Sequence, residues 1–226
     1  MTAPVSVLIL TYNEEVNLPY ALESVVGWAG QIVVVDSYST DRTVEIAQSY
    51  GADVYQHSYE SARNQRNWAL QNPSYHHEWI LYIDADEQVS PQLQQEIADV
   101  LASVPESVAG FLVRRRFIFL GKWLRHGGFY TWFLRLFRRD RCRFDEFNIF
   151  EIPIVQGKIG RLNNDIIHQD HKSLSDWIAK QNLRASKAAL KHIVESESSD
   201  DMRRIKSSEE ERVAVSYTHL TLPTKA

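Results

Sequence analysis

Apolar and polar positions alternate in blocks along the first 110 residues, short β-branched runs giving way to longer mixed stretches. Val5 to Leu10 is a strand-favouring apolar run, and Asn13 to Asn17 is its polar exit. Leu18 to Val26 predicts a helix with Pro19 in its first turn. Gln31 to Val35 predicts the second strand, and Ser39 or Thr40 is positioned to cap a helix from Thr43 to Ser49. Gly51 ends that helix and Ala52 to Gln56 predicts a third strand. Ser61 to Leu70 reads as a helix and Trp79 to Ile83 as the fourth strand. Ser90 then caps a helix from Pro91 to Leu101, with proline at the first helical position. This βα alternation predicts a doubly wound α/β sheet. Beyond Gly110 the pattern changes. Phe111 to Arg116 and Trp132 to Phe137 read as strands around a Gly127-Gly128 loop, and Lys158 to Ile167 as a last strand. A helix capped by Ser173 runs from Leu174 to about Val194. The charged stretch from Glu195 to Arg212 predicts surface helix or flexible link.

The polar residues that end the strands carry the chemistry. WILYIDADEQV drives an apolar strand directly into Asp84 and Asp86, with Glu87 behind them. Two carboxylates pushed together at a strand end repel unless a cation or a proton relieves them. The pair therefore suits Mg²⁺ or Mn²⁺ held against a diphosphate. The competing reading has Asp86 capping the next helix and Asp84 paired with an arginine. Asp36 ends QIVVVD and can accept hydrogen bonds from a nucleobase or ribose, or else cap the turn with Ser37, Ser39 and Asp41. Thr11, Asn13 and Glu14 lie at the exit of the first strand, where they can hold base and ribose. Three such strand ends describe the rim at which open α/β sheets bind ligands. Neither a GxGxxG turn nor a GKS or GKT loop is present, which argues against a dinucleotide fold and a P-loop NTPase. Arg63 and Arg66 are the candidate phosphate partners, or else a solvated helix face.

The formal net charge of −4 hides an asymmetry. FLVRRRFIFLGKWLRHGGFYTWFLRLFRRDRCR, residues 111–143, holds ten basic residues against one acid, with aromatics throughout. Basic heads on apolar bodies suit an anionic membrane surface or a glycolipid. The plainer reading packs the aromatics on the core and leaves the arginines outside. Nucleic acid is not an expected partner, because the rest of the chain is acidic. Asp145, Glu146 and Glu151 are candidates for a general base. His168 and His171 flank Asp170 and can bind a metal, bind an acceptor or hydrogen-bond locally. The single cysteine, Cys142, excludes a disulfide framework and has no evident histidine partner. The amino terminus lacks a basic region and a cleavage site, and no apolar run reaches membrane-spanning length. The expected location is the cytoplasm, with peripheral contact at the inner face of the cytoplasmic membrane as an extension.

VSVLILTYNEEVNLPYALESV, IVVVDSYSTDRTVEIAQSYGA, SARNQRNWAL and WILYIDADEQV together resemble glycosyltransferase family 2. WFLRLFRRD and FNIFEIPIVQGKIGRLNNDIIHQDHKSLSDWIAKQN resemble the acceptor half of its lipopolysaccharide core β-1,4-glucosyltransferase branch. The resemblance covers about residues 4 to 194. It implies a GT-A fold, α/β with a mostly parallel central sheet flanked by helices. Residues 1–110 would bind the nucleotide sugar and 111–194 the acceptor. Residues 195–214 would form a charged surface segment. The tail VSYTHLTLPTKA, 215–226, resembles a translated sequencing adapter, so the native protein is expected to continue differently beyond about residue 214. By the same resemblance Asp84 and Asp86 bind Mg²⁺ or Mn²⁺, Asp84 and Asp36 contact the donor, and Glu151 is the base. Relatives carry His-Glu where this chain has Phe150-Glu151. The implied reaction moves a hexose with inversion, glucose from UDP-glucose, to a sugar hydroxyl of a lipopolysaccharide core or related glycolipid. The alternatives are a polyisoprenyl-phosphate glycosyltransferase and a truncated, inactive binding module.

Overall fold

The computed structural model describes residues 2–144, 153–186 and 189. The chain divides into two compact units, Met1–His171 and Lys172–Ala226. In the first, β1 (Ala3–Thr11), α1 (Leu18–Glu23), β2 (Ala29–Asp36), α2 (Thr43–Ser49), β3 (Asp53–Gln56), α3 (Ala62–Gln71) and β4 (Trp79–Asp84) follow in order. β5 (Glu87–Val89) and α4 (Pro91–Leu101) complete the amino-terminal half. Then come β6 (Val108–Phe119), β7 (Lys122–Trp123), β8 (Trp132–Arg138), β9 (Cys142–Phe144), β10 (Pro153–Val155) and β11 (Lys158–Gln169).

The main sheet runs β3-β2-β1-β4-β8-β6-β11-β5, with β7 paired to β6. β3, β2, β1 and β4 are mutually parallel. β8 is antiparallel to both β4 and β6, and β11 is parallel to β6 but antiparallel to β5. The doubly wound expectation thus holds for four strands, and the whole is a mixed sheet, mostly parallel on its amino-terminal side.

Helices on both faces explain why the strands are apolar along their whole length. Val7, Ile9, Leu81 and Ile83 join Leu18, Leu22, Leu93 and Ile97 in one core layer. Leu8, Ile80 and Tyr82, on alternate positions, join Ala69 and Leu70 in the other.

Local signals account for most of the boundaries. Ser61 and Ser90 cap α3 and α4, their side chains accepting from the N–H groups of Asn64 and Leu93. The expected cap of α2 is corrected. Ser39 is occupied with Asp36, and the Thr43 N–H is instead met by Asp41 Oδ1 at 3.0 Å. α1 stops at Glu23, three residues short of expectation. The chain then turns toward Gly27, whose φ of +74° belongs to the left-handed region.

In the second unit residues 174–186 are helical. Ser173 caps them: its Oγ accepts from the Asp176 N–H at 3.1 Å, and the Asp176 carboxylate accepts the Ser173 N–H at 3.2 Å. Among the described residues no helix is long and apolar enough to cross a membrane.

Candidate functional site

Strand register gathers the site. Thr11 stands opposite Asp36, and Leu10 opposite Asp84, so three adjacent parallel strands end together. Asp36 is fully buried. Its Oδ1 accepts from Thr11 Oγ1 at 3.0 Å and Ser39 Oγ at 2.5 Å. Its Oδ2 accepts from the Ser39 N–H at 2.8 Å and Gln56 Nε2 at 3.4 Å. Neutral donors thus satisfy this carboxylate, and its direct role here is to hold the loop after β2.

That loop is tied back to the exit of β1. The Asn13 N–H donates to Ser39 Oγ and the Thr40 N–H to Asn13 Oδ1, both at 2.8 Å. Asn13 has φ +53°, a conformation asparagine tolerates better than most residues. Glu14 accepts from Asn17 Nδ2 at 2.9 Å, and its N–H donates to Thr43 Oγ1 at 2.8 Å. Asn17 is buried and also joins the end of β11, donating to Asp170 and accepting the His171 N–H. The sequence reading missed this junction.

The Asp-x-Asp turn follows β4. Tyr82 donates to Asp84 Oδ1 at 2.9 Å, and Arg66 Nε donates to the Tyr82 hydroxyl at 3.2 Å. Arg66 therefore reaches Asp84 through a tyrosine. Arg63 lies on the same helix, partly buried. On the other side one Arg135 nitrogen donates to Asp84 Oδ2 at 2.8 Å and to Glu87 Oε1 at 2.6 Å. Burial would raise the Asp84 carboxyl, but the Arg135 guanidinium, aided by its own and the Tyr82 hydrogen bonds, holds it well below the usual carboxylate range. Burial would lower the Arg135 guanidinium, and Asp84 with Glu87 pushes it up instead. Asp84 is thus paired with an arginine, as its competing reading has it.

Asp86 is 11% exposed and its carboxylate lies 3.7 Å from His168 Nε2. Pairing of β5 with β11 brings this about, setting His168 opposite Glu87. His168 Nδ1 is buried without a hydrogen-bond partner, 3.8 Å from Glu87 Oε1. Among the described residues no three His, Cys, Asp or Glu side chains form a metal cage. His168 lies between Asp86 and Glu87, and the carboxylates of this turn are the donor type that Mn²⁺ and Mg²⁺ take, with part of the shell coming from substrate phosphates. His171 is directed elsewhere, stacked on Tyr20 with centroids 3.7 Å apart, and burial lowers its pKa.

Asp145, Glu146 and Glu151 lie outside the described residues. Their segment is bracketed by β9 and β10, which pair as a two-stranded ribbon. Phe144, at the end of β9, exchanges two 2.8 Å hydrogen bonds with the Asn67 side chain on α3, one turn from Arg63. Arg66 lies 5.5 Å from the Phe144 ring. Burial pushes the Cys142 thiol up to about 12, the opposite of an activated nucleophile.

Much of the basic segment is engaged in ion pairs and ring contacts, with Arg135 and Arg138 buried. Arg114 and Arg116 pair with the buried Asp165, Arg138 with Glu78, and Arg141 with Glu106. Arg114 lies over Tyr130 and Trp132, Arg115 over Phe133, and Arg116 over Trp123. The residues missed from sequence are Arg135 and Glu87 as a buried pair. The signal in the sequence is the apolar setting of Arg135 among Leu134, Leu136 and Phe137; the structure shows β8 buried from Leu134 to Arg138, which obliges Arg135 to find a partner.

Residues 6–154 match the family described as glycosyl transferase family 2. An uncharacterized glycosyltransferase of Rickettsia bellii (strain RML369-C) is 41% identical over 103 residues, which cover 46% of this chain and 34% of that one. The chain thus spans about a third of the length of that curated relative. The lipopolysaccharide core biosynthesis glycosyltransferase LpsC of Rhizobium meliloti (strain 1021) is 30% identical over 186 residues, 79% of this chain and 68% of LpsC. Among solved structures, S. aureus TarS 1–349 has a TM-score of 0.56 at 18% identity, covering 75% of this chain and 60% of that one, a likeness of fold. With the strand-end carboxylates and the mixed sheet behind them, these matches fix the assignment: the chain belongs to glycosyl transferase family 2.

Proposed function

We propose that the chain is an inverting glycosyltransferase that moves a hexose, glucose from UDP-glucose, to a sugar hydroxyl of a lipopolysaccharide core or related glycolipid. The observation that carries this reading is the convergence of Thr11, Asp36 and Asp84 at the ends of adjacent strands, with Asp86 in the turn that follows β4, in a chain of this family. Likeness to LpsC supports the acceptor class. Asp84 and Asp86 would hold Mg²⁺ or Mn²⁺, with His168 beside them. Bound there, the cation supplies charge neutralisation for the departing diphosphate.

The rest is the work of the chain's own side chains. Asp36 orders the loop that, with Thr11, Asn13 and Glu14, forms the nucleoside side of the site. Arg63 and Arg66 lie on the helix over the same strand ends and offer positive charge to phosphate. Glu151 takes the proton from the acceptor hydroxyl, which then attacks the anomeric carbon from the face opposite the leaving group. An α-linked donor gives a β-glycoside. Lys122, Arg125 and Arg143 are exposed and provide the contact with an anionic membrane.

The test is UDP release and sugar transfer from a panel of nucleotide sugars by the full chain, with Mn²⁺ or Mg²⁺. Metal-dependent turnover of UDP-glucose is expected, reduced about 100-fold or more in Asp86→Ala. A folded chain that binds no nucleotide sugar would overturn the proposal.

A further inference from the structure

The turn after β4 carries three carboxylates in four residues: Asp84, Asp86 and Glu87. Oxygen ligands so concentrated are what a hard divalent cation takes from a protein. Yet Arg135 already occupies two of the three with a single nitrogen, at 2.8 Å from Asp84 and 2.6 Å from Glu87. The contacts are unequal. Glu87 is 0% exposed, and its second oxygen accepts the Asp84 N–H at 3.0 Å. Asp84 is 36% exposed and forms the solvent-facing side of the cluster. Glu87 therefore anchors the guanidinium, and the guanidinium covers Asp84. Tyr82 and Phe133 rings lie 5.0 and 5.5 Å from it and keep it in place. Arginine does not shed its proton in proteins, so this charge is permanent.

We propose that Arg135 is a built-in counter-cation that suppresses binding of a free divalent ion at the Asp-x-Asp turn, so that the ion is retained only together with a nucleoside diphosphate. The inference rests on the reading of this turn as a cation–diphosphate site. A divalent ion arriving alone meets a fixed positive charge and finds both oxygens of Asp84 and of Glu87 already accepting hydrogen bonds, one of each from Arg135. Repulsion between like charges at this range, in a half-buried setting, is large compared with thermal energy. A diphosphate arriving with the ion brings negative charge that offsets Arg135, and oxygens that replace those it covers. The residue thereby orders loading of the site without touching the reacting atoms.

The experiment measures Mn²⁺ binding by the full chain, from the free-ion electron paramagnetic resonance signal, with and without UDP. Wild type should bind Mn²⁺ alone weakly and at least tenfold more tightly with UDP. Glu87→Gln/Arg135→Met removes the fully buried pair as a unit, so the only charge left without its arginine is Asp84, which is 36% exposed and regains water. It should bind Mn²⁺ alone at least tenfold more tightly than wild type, and Arg135→Met, where it folds, more tightly still. Arg135→Lys keeps the charge and should keep the wild-type dependence on UDP. A double variant or a lysine variant that folds, by circular dichroism and a cooperative melt, and departs from these expectations overturns the inference: unchanged Mn²⁺ affinity in the first, or tight Mn²⁺ binding without UDP in the second. If wild type shows UDP-dependent Mn²⁺ binding, such a failure leaves the proposed function standing. If wild type binds neither Mn²⁺ nor UDP, both fall together.

Discussion

The two sides of the sheet neutralise their buried acids in different ways. On the parallel side Asp36 is surrounded by hydroxyls, an amide and a backbone N–H, and Gln31 links Ser6, Asp53 and the Ser74 carbonyl without an ion pair. On the mixed side the acids are met by arginines: Glu87 and Asp84 by Arg135, and Asp165 by Arg114 and Arg116, while the buried Arg138 pairs with the exposed Glu78. A neutral network is assembled from short side chains on adjacent elements. An arginine reaches across strands but makes the site dependent on full charge pairing. The mixed side should accordingly be the more fragile to single substitutions.

The sharpest break in this comparison is Arg135→Ala, which leaves Glu87 buried and unpaired. A loss of about 3–5 kcal/mol is expected in urea unfolding. Asp165→Ala is next. Its arginines are a third or more exposed and regain water, so the discounted loss is about 2 kcal/mol, read by the same titration. On the parallel side Asp36→Asn keeps the shape and exchanges charge-assisted bonds for neutral ones, with an expected loss of about 1 kcal/mol. If Asp36→Asn proves costlier than Arg135→Ala, the contrast between the two sides fails.

Glu96 refines the comparison through pH. Burial would raise its carboxyl, but the N–H and side-chain amide groups of Asn163 and Asn164 lower it, so these donors hold the irregular turn within β11. A depressed folded pKa contributes stability above the unfolded value, about 4.3, and loses it as pH falls through the folded one. The stability gap between wild type and Glu96→Gln should be full at pH 7 and close as pH falls through the depressed folded pKa. The smallest effect belongs to Arg42→Ala. Its pair with Glu45 is exposed on both sides, and no change in melting temperature is expected.

How much of this was legible in the sequence follows the same division. The parallel side is built from βα units whose periodicity, caps and strand ends are local. α2 and α4 have the bounds read from sequence, and Thr11, Asp36 and Asp84 converge as the strand-end pattern implies. The α2 cap was misread because serine and aspartate within one loop compete for the same N–H groups, and only tertiary contacts decide among them. β5, β7, β9 and β10 each span three residues or fewer, too short for any periodic signal. Arg135 was grouped with the basic surface because sequence does not show that both faces of β8 are covered. Asp86 and His168 are joined only by the β5–β11 pairing, which no local pattern encodes.

That pairing also sets a schedule. Glu87 and its partner His168 are separated by about 80 residues, so at a synthesis rate of about 5–20 residues per second the turn waits roughly 4–16 seconds for the strand that completes it. The four parallel strands are all translated before β11 exists, and can condense while it is still being made. A nascent chain arrested before residue 158 would hold the Asp-x-Asp turn with its β5 edge unmatched. Completion of the turn is therefore a late event in the life of the polypeptide, timed by chain growth.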